Sequence, residues 1–324
     1  MKSIRVLCAG VGGAWSRTRV AVSVLVAALI LSASSGLAAD KRSGVAPSIQ
    51  TGITIAVTGD IYTPDAKVVS DVILAKPELT AVLLVGDTCN STPTPLREHN
   101  KLYPTTYGRF LAKIHPAPGN HDKLSEPPFS AYSAFWGDAA HSPNLYYSFD
   151  LGQWHVVSLN SVALKDGGPA AKAQLDWLKA DLAAKPGKPT IVYWHYPFFS
   201  RAKHCGDKAM KPFWTEIYSH GPALVFCGHN HVYERFPPLD PDGNPVALNK
   251  GIQEFVIGPG GARPTESEAP KAKPPASQKF DGNAQHVGFF TLFADGSFKY
   301  TIEAVGEDGA AAVVDSGSGK LAAK

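Results

Sequence analysis

Short runs rich in Val and Ile recur along this chain at 53–58, 81–85, 114–118, 154–159, 190–194, 223–227 and 254–257, bounded by Gly, Asp, Asn or Pro. Such runs are too short for helices and too apolar to leave a face in water, so they read as buried strands. Helical spacing falls between them at 65–76, 95–114, 171–185 and 212–220, with Leu175, Leu178 and Leu182 on one stripe. Strand alternating with helix constrains the fold to the α/β class. Further on, 289–293 and 298–302 flank Ala294-Asp295-Gly296-Ser297, a hairpin signal. With 44% hydrophobic residues and 18% charged ones in 324, the chain carries a sizeable core and is not a disordered polymer. One domain is expected over 53–315. Residues 262–283, rich in Pro, Lys, Ser and Glu, read as a long mobile loop, and 316–324 as a frayed tail.

The first 39 residues read as an export signal. Lys2, Arg5, Arg17 and Arg19 precede an apolar run at 20–31, and small residues follow up to Ala38 and Ala39. The run is shorter than the roughly 20 residues that cross a bilayer. Thr18 separates Arg17 from Arg19, so the Sec route is expected over a twin-arginine one, with the protein periplasmic or secreted. Residues 40–52 then form a short linker. Removal of 1–39 takes away four basic residues and leaves 27 Lys and Arg against 28 Asp and Glu, a balance of −1. No global charge favours nucleic acid or an anionic membrane, and no span remains once the signal is gone. Cys89, Cys205 and Cys227 then remain. The odd count allows one disulfide, and a bridge between Cys89 and Cys205 stays open.

Polar residues gather where five of the strand-like runs end. They run into Gly59-Asp60, Gly86-Asp87, Gly119-Asn120-His121-Asp122, His195 and Gly228-His229-Asn230-His231. Ligands of open α/β sheets bind outside the carboxyl ends of strands. Glycines before four of these clusters are expected to make the sharp turns that aim side chains into a shared cleft. Alone, a Gly-Asp is a turn and a His-x-His an accident of alternation. Together, two Asp, one Asn and three His form a mixed oxygen and nitrogen set suited to Zn, Mn or Fe. Two divalent ions on two carboxylates leave about +2 on the site, an excess that attracts phosphate. Metals about 3.5–4 Å apart can generate hydroxide and stabilise in-line displacement.

The ordered motifs resemble the calcineurin-like metallophosphoesterase superfamily. Gly119-Asn120-His121-Asp122, Tyr193-Trp194-His195-Tyr196-Pro197 and Gly228-His229-Asn230-His231-Val232-Tyr233-Glu234-Arg235 are similar to its purple acid phosphatase branch, as is Tyr146-Tyr147-Ser148-Phe149-Asp150 followed by Trp154-His155. The resemblance implies a four-layer α-β-β-α sandwich, two packed mixed sheets flanked by helices, that cleaves small phosphate esters, phosphomonoesters first. Phosphodiester or nucleotide hydrolysis, and a non-catalytic phosphate- or metal-binding protein, are the alternatives. It implies two divalent or trivalent ions (Fe, Zn or Mn). Asp60, Asp87 and His231 would hold the first; Asp87, Asn120, His195 and His229 would hold the second. His121 would contact the phosphate and protonate the leaving oxygen, with Asp122 orienting its ring. His204 is a second candidate for phosphate contact or proton donation, against a plain surface histidine.

The chain departs from the pattern at two positions. Purple acid phosphatases carry Tyr three residues after the bridging Asp, where Asn90 stands here; without it the iron charge-transfer colour is not expected. The wider superfamily has His two residues after the first Asp, where Tyr62 stands. Tyr62, Asn90 or water is left to complete the first ion's shell. The sequon Asn90-Ser91-Thr92 adjoins a metal motif, which argues against its glycosylation. No Gly-x-Ser-x-Gly elbow and no complete P-loop occurs.

Overall fold

The computed structural model describes residues 51–90, 95–265 and 277–321. The expected signal, all but the last two residues of the linker, residues 266–276 of the expected loop, Ser91 and Thr92 of the sequon, and residues 322–324 lie outside the described residues.

The elements, in chain order, are β1 (Ile53–Thr58), α1 (Ala66–Leu74), β2 (Leu79–Val85), α2 (Pro95–Leu102), β3 (Ile114–Ala117), α3 (Ser130–Trp136), β4 (Tyr147–Leu151), β5 (Trp154–Ser158), α4 (Ser161–Asp166), α5 (Gly168–Ala183), β6 (Thr190–Tyr193), α6 (Lys211–His220), β7 (Ala223–Cys227), β8 (Tyr233–Arg235), β9 (Ile252–Ile257), β10 (Lys279–Asp281), β11 (Gln285–Leu292), β12 (Ser297–Val305) and β13 (Ala311–Lys320). They build two mixed sheets. The six-stranded sheet has the order β13-β12-β11-β1-β2-β3, the seven-stranded one β10-β8-β9-β7-β6-β5-β4. Strands β1, β2 and β3 run parallel, as do β5, β6, β7 and β9. The remaining pairings are antiparallel.

Successive residues of a strand point to opposite faces, and here both faces are covered. Ile55, Val57, Leu83 and Val85 of one sheet meet Val156, Ile191, Tyr193 and Phe226 of the other in a shared core. Ala56, Val82 and Leu84 turn outward onto Val69 and Ile73 of α1. Val157, Val192 and Val225 turn outward onto Leu178 and Leu182 of α5 and Phe213 and Trp214 of α6. The four layers are therefore helix, sheet, sheet, helix, as the resemblance implied. Each fully buried Leu, Ile or Phe in them contributes roughly 2 kcal/mol of transfer free energy.

The structure bears on five points of the sequence reading. The helix read over 95–114 stops at Leu102 and continues as two 3-10 turns, Tyr103–Thr105 and Tyr107–Lys113, with Phe110 off helical geometry (φ −137°, ψ 34°). Pro104 cannot donate the next backbone bond, and Tyr107 is drawn inward, its hydroxyl donating to the Gly260 carbonyl at 3.0 Å. The expected frayed tail is the end of β13, paired with β12 from Ala311↔Val305 to Lys320↔Ser297. Its glycines let ring surfaces take the place of side chains: a Cβ at Gly317 would meet Tyr300 at 2.7 Å, and one at Gly319 would meet Phe298 at 2.8 Å. The expected mobile loop includes the strand β10, paired with β8, and the fully buried Ala262. Cys89 and Cys205 are unbridged, and the Cys89 thiol donates to the Asn90 and Pro95 carbonyls. The fifth concerns the turn glycines and belongs to the site.

Candidate metal centre

Each metal-binding candidate lies in the first residues beyond a parallel strand. Asp60 follows β1, Asp87 follows β2, Asn120 follows β3, His195 follows β6, and His229 and His231 follow β7. The sharp turn was expected at the preceding glycines, but it falls largely on the ligands themselves. Asp60 (φ 53°), Asp87 (φ 50°) and His229 (φ 68°) are left-handed, a region costly for residues with side chains and found where a site holds them there. Gly86 alone of the four glycines has a positive φ (95°). Gly119 is required for space, since a Cβ there would collide with the carboxylate and amide of Asp87.

The side chains converge. Donor atoms of Asp60, Asp87 and His195 all lie within 4.8 Å of one another, and all three residues are buried. His195 Nε2 is 3.3 Å from Asp87 Oδ2 and 3.0 Å from Asn120 Oδ1. His231 Nε2 is 3.5 Å from Asp60 Oδ1. The His229 ring lies 5.1 Å from the His195 ring, centroid to centroid. Two ligands of one cation, each about 2.0–2.2 Å away and at right to tetrahedral angles, stand about 3–3.5 Å apart. The separations here are of that size.

Two further observations fit the donor set to a cation. The buried Asp60 Oδ1 accepts no hydrogen bond, whereas Oδ2 accepts the His229 N–H at 2.9 Å. An orphaned carboxylate oxygen in the interior is costly unless a cation answers it. His195 Nδ1 lies 3.0 Å from the Val85 carbonyl, and His231 Nδ1 lies 2.9 Å from that of Arg263. A carbonyl takes the N–H at Nδ1, so Nε2 is the atom of each ring left to face a cation, the arrangement of metal-ligating histidines.

The electrostatics concentrate charge in the same place. Burial works against ionisation of His195, yet the adjacent Asp87 carboxylate holds its pKa up at about 9. Burial, reinforced by His195, pushes His229 down to about 2. Burial also opposes ionisation of Asp60, but His231 and His195 keep its carboxyl below the usual range.

The remaining candidates take distinct places. The His121 ring stacks on Tyr62 (5.0 Å, 10° between planes), with Nε2 3.7 Å from Asp87 Oδ2. Asp122 orients its loop rather than presenting a free carboxylate to the ring. Oδ1 accepts from Thr88 Oγ1 and the Cys89 N–H, and Oδ2 from the Thr88 and Gly119 N–H groups, which ties the second and third ligand loops together. Burial and the Asp87 charge raise its pKa to about 7 against those four bonds. The exposed His204 lies 5.1 Å from the His229 ring, and its N–H donates to Asn230 Oδ1. Tyr62 brings its hydroxyl 3.3 Å from His231 Nε2, whereas Asn90 shares with Tyr62 the wall of an adjoining cavity of about 380 Å³.

Sequence reasoning missed Ser161, whose Oγ accepts the His195 and Tyr196 N–H groups at 3.2 Å, and Asn230, which clasps the His204 turn. Neither belongs to a run or motif that stands out, although Asn230 is the variable position of Gly-His-x-His. The motif at Tyr146 to His155 serves the fold. His155, fully buried, contacts Asp150 through Nδ1 (3.0 Å) and Asp181 of α5 through Nε2 (2.8 Å).

Known proteins resemble this chain in sequence and in fold. Residues 53–233 match the family model described as calcineurin-like phosphoesterase. Purple acid phosphatase 21 of Arabidopsis thaliana is 32% identical over 260 residues, which cover 74% of this chain and 56% of that protein. Purple acid phosphatase 15 of the same plant is 32% identical over 257 residues, 64% of this chain and 45% of its own length. The chain thus spans about half the length of the curated relatives it matches. A purple acid phosphatase isolated from yellow lupin (Lupinus luteus) seeds superposes with a TM-score of 0.64 at 16% identity, over 84% of this chain and 54% of its own. GAP50, the anchor in the inner membrane complex of Plasmodium, gives 0.65 at 15% identity, over 85% and 90%. At these identities the two structures speak for the fold alone. The family model covers more than half of the sequence, so the chain belongs to the calcineurin-like phosphoesterase family, in its purple acid phosphatase-like branch.

Proposed function

We propose that this chain is an exported phosphohydrolase that holds two metal ions, of iron, zinc or manganese, and cleaves phosphate monoesters. One observation carries the reading: Asp60 and Asp87 meet imidazoles whose Nδ1 atoms are committed to backbone carbonyls, beside a buried carboxylate oxygen that has no other hydrogen-bond partner. Asp60, Asp87 and His231 hold one ion, with Tyr62 bordering it. Asp87, Asn120, His195 and His229 hold the other, and Asp87 serves both. Bound there, such a pair supplies an acidified water and charge neutralisation for the phosphoryl oxygens.

The chain's own groups do the rest. His121, kept in plane by the Tyr62 ring, delivers a proton to the departing alkoxide. His204 offers a second N–H to the phosphate. Asp122 keeps the loops of Asp87 and His121 in register through four hydrogen bonds.

Purified protein should hydrolyse a chromogenic phosphomonoester, lose that activity to a chelator and regain it with Mn, Fe or Zn. A faster rate on a diester would move the substrate class. Phosphate binding without turnover under any metal would favour the rival reading of a binding protein, for which Asn90, in place of the tyrosine of the branch, is the supporting observation. Recovery of protein beginning near Asp40 from the exported fraction tests the signal.

A further inference from the structure

Strands β8 and β9 each carry a carboxylate into the interior: Glu234 and Glu254 are both 0% exposed. Glu234 pairs with Val256, so Glu254 lies two residues along on the same face, a diagonal neighbour. Side-by-side burial of two carboxylates is costly unless donors answer them. The backbone donors all come from one short segment. Glu254 accepts the Phe198 N–H (2.9 Å) and the Phe199 N–H (3.0 Å). Glu234 accepts Ser200 Oγ (2.8 Å) and the Arg201 N–H (3.1 Å). Cys227 Sγ lies 3.6 Å from Glu254 and Arg201 Nε 4.0 Å from Glu234, and the Ser277 hydroxyl also neighbours Glu234.

That segment begins three residues after His195 and leads to His204. Asn230 completes the hold, since it accepts the His204 N–H and donates to the Cys205 carbonyl, where the backbone turns left-handed (φ 59°). Strand alternation explains why β8 can serve as the post. Tyr233 and Arg235 point the other way, onto Asp315 of β13 at 2.6 and 2.7 Å.

We propose that Glu254 and Glu234 are positioning residues that fix the 198–204 segment so that His204 faces the metal pocket; the catalytic half of this rests on the phosphohydrolase reading. Glu254→Gln keeps the volume but turns an NH2 toward one of two N–H donors, so it should release the segment. Glu234→Gln retains an acceptor for Arg201 and should act more weakly.

The test combines hydrogen exchange with a double-mutant cycle on the metal-loaded full protein. Glu254→Gln should speed amide exchange across 198–204 by about tenfold or more while exchange in α5 stays unchanged. It should lower kcat/KM about tenfold in the wild-type background and add nothing to His204→Ala. Unaltered exchange in both glutamine variants would overturn the hold. Equal losses with and without His204, or a His204→Ala variant of full activity, would overturn the link to His204. Absence of turnover by the wild-type protein with every metal would instead sink the phosphohydrolase reading, and the exchange result would still decide whether the carboxylates hold the segment.

Discussion

The two halves of the candidate metal pocket are built from different chemistry. The six-stranded sheet supplies the oxygen donors Asp60, Asp87 and Asn120 from the ends of β1, β2 and β3. The seven-stranded sheet supplies the nitrogen donors His195, His229 and His231 from the ends of β6 and β7. The oxygen half is held by crowding, with left-handed backbone at Asp60 and Asp87 and no room for a side chain at Gly119. The nitrogen half is held by polar ties, some crossing between sheets: His195 Nδ1 to Val85, and the His229 N–H to Asp60. Neither sheet makes a cation site alone. Each fixes the other's donors, so a fault in one half should be felt in the other.

The largest effect should come from Asp87, the residue proposed to serve both ions. Asp87→Asn removes one of two carboxylates, and loss of several kcal/mol of charge stabilisation implies a fall in kcat of about a thousandfold or more. Elemental analysis should find less metal, with circular dichroism unchanged; full turnover would refute the assignment. His195→Ala, from the nitrogen half, should cost as much if the halves are interdependent.

Gly119→Ala breaks the oxygen half by sterics alone. Displacement of Asp87 should lower metal affinity or activity about 10- to 100-fold, as loss of a supporting contact does. Metal titration calorimetry would measure it, and unaltered affinity would show that crowding does not position Asp87. Tyr62→Phe sharpens the comparison. Burial and the charges of Asp60 and Asp87 push the Tyr62 hydroxyl above its ordinary pKa, so it stays neutral, and its loss should weaken only one ion, by up to about tenfold.

The smallest effects concern pH and stability, and they have opposite signs in two places away from the metals. Burial raises Glu254 to about 8 against the Phe198 and Phe199 N–H bonds, which either protonation state can accept, so the stability linked to its protonated form is complete below the unfolded carboxyl value and is lost as pH rises through about 8. Asp181, despite partial burial, is held low by His155 and Ser148; its contribution is present above the unfolded value and is lost as pH falls through the lowered one. Melting curves of Glu254→Gln and Asp181→Asn across pH 3–9 should therefore lose slope at opposite ends. Slopes that change at the same end would contradict the two environments.

Much of this was legible beforehand because its causes are local. Apolar runs with both faces buried mark β1, β2, β6 and β7, and the polar residues at their ends mark the candidate ligands. The chain-end strand β13 was not legible, since Ser316, Gly317, Ser318 and Gly319 carry no apolar pattern and gain their place from the rings of Tyr300 and Phe298. Glu234 and Glu254 were equally hidden. A glutamate in a strand reads as a solvent-facing residue until the segment that buries it is known.

By itself, then, the sequence determined the α/β layering, the family and which six candidate side chains stand at the strand ends, because alternation and turn chemistry act between neighbours in the chain. Tertiary structure alone decided that left-handed backbone would fall on Asp60 and Asp87, that Asp122 would clasp loops, and that two interior carboxylates would hold the His204 segment. Those outcomes depend on contacts such as His231 with Asp60, between residues far apart in the chain, whose geometry is set only when the two sheets pack.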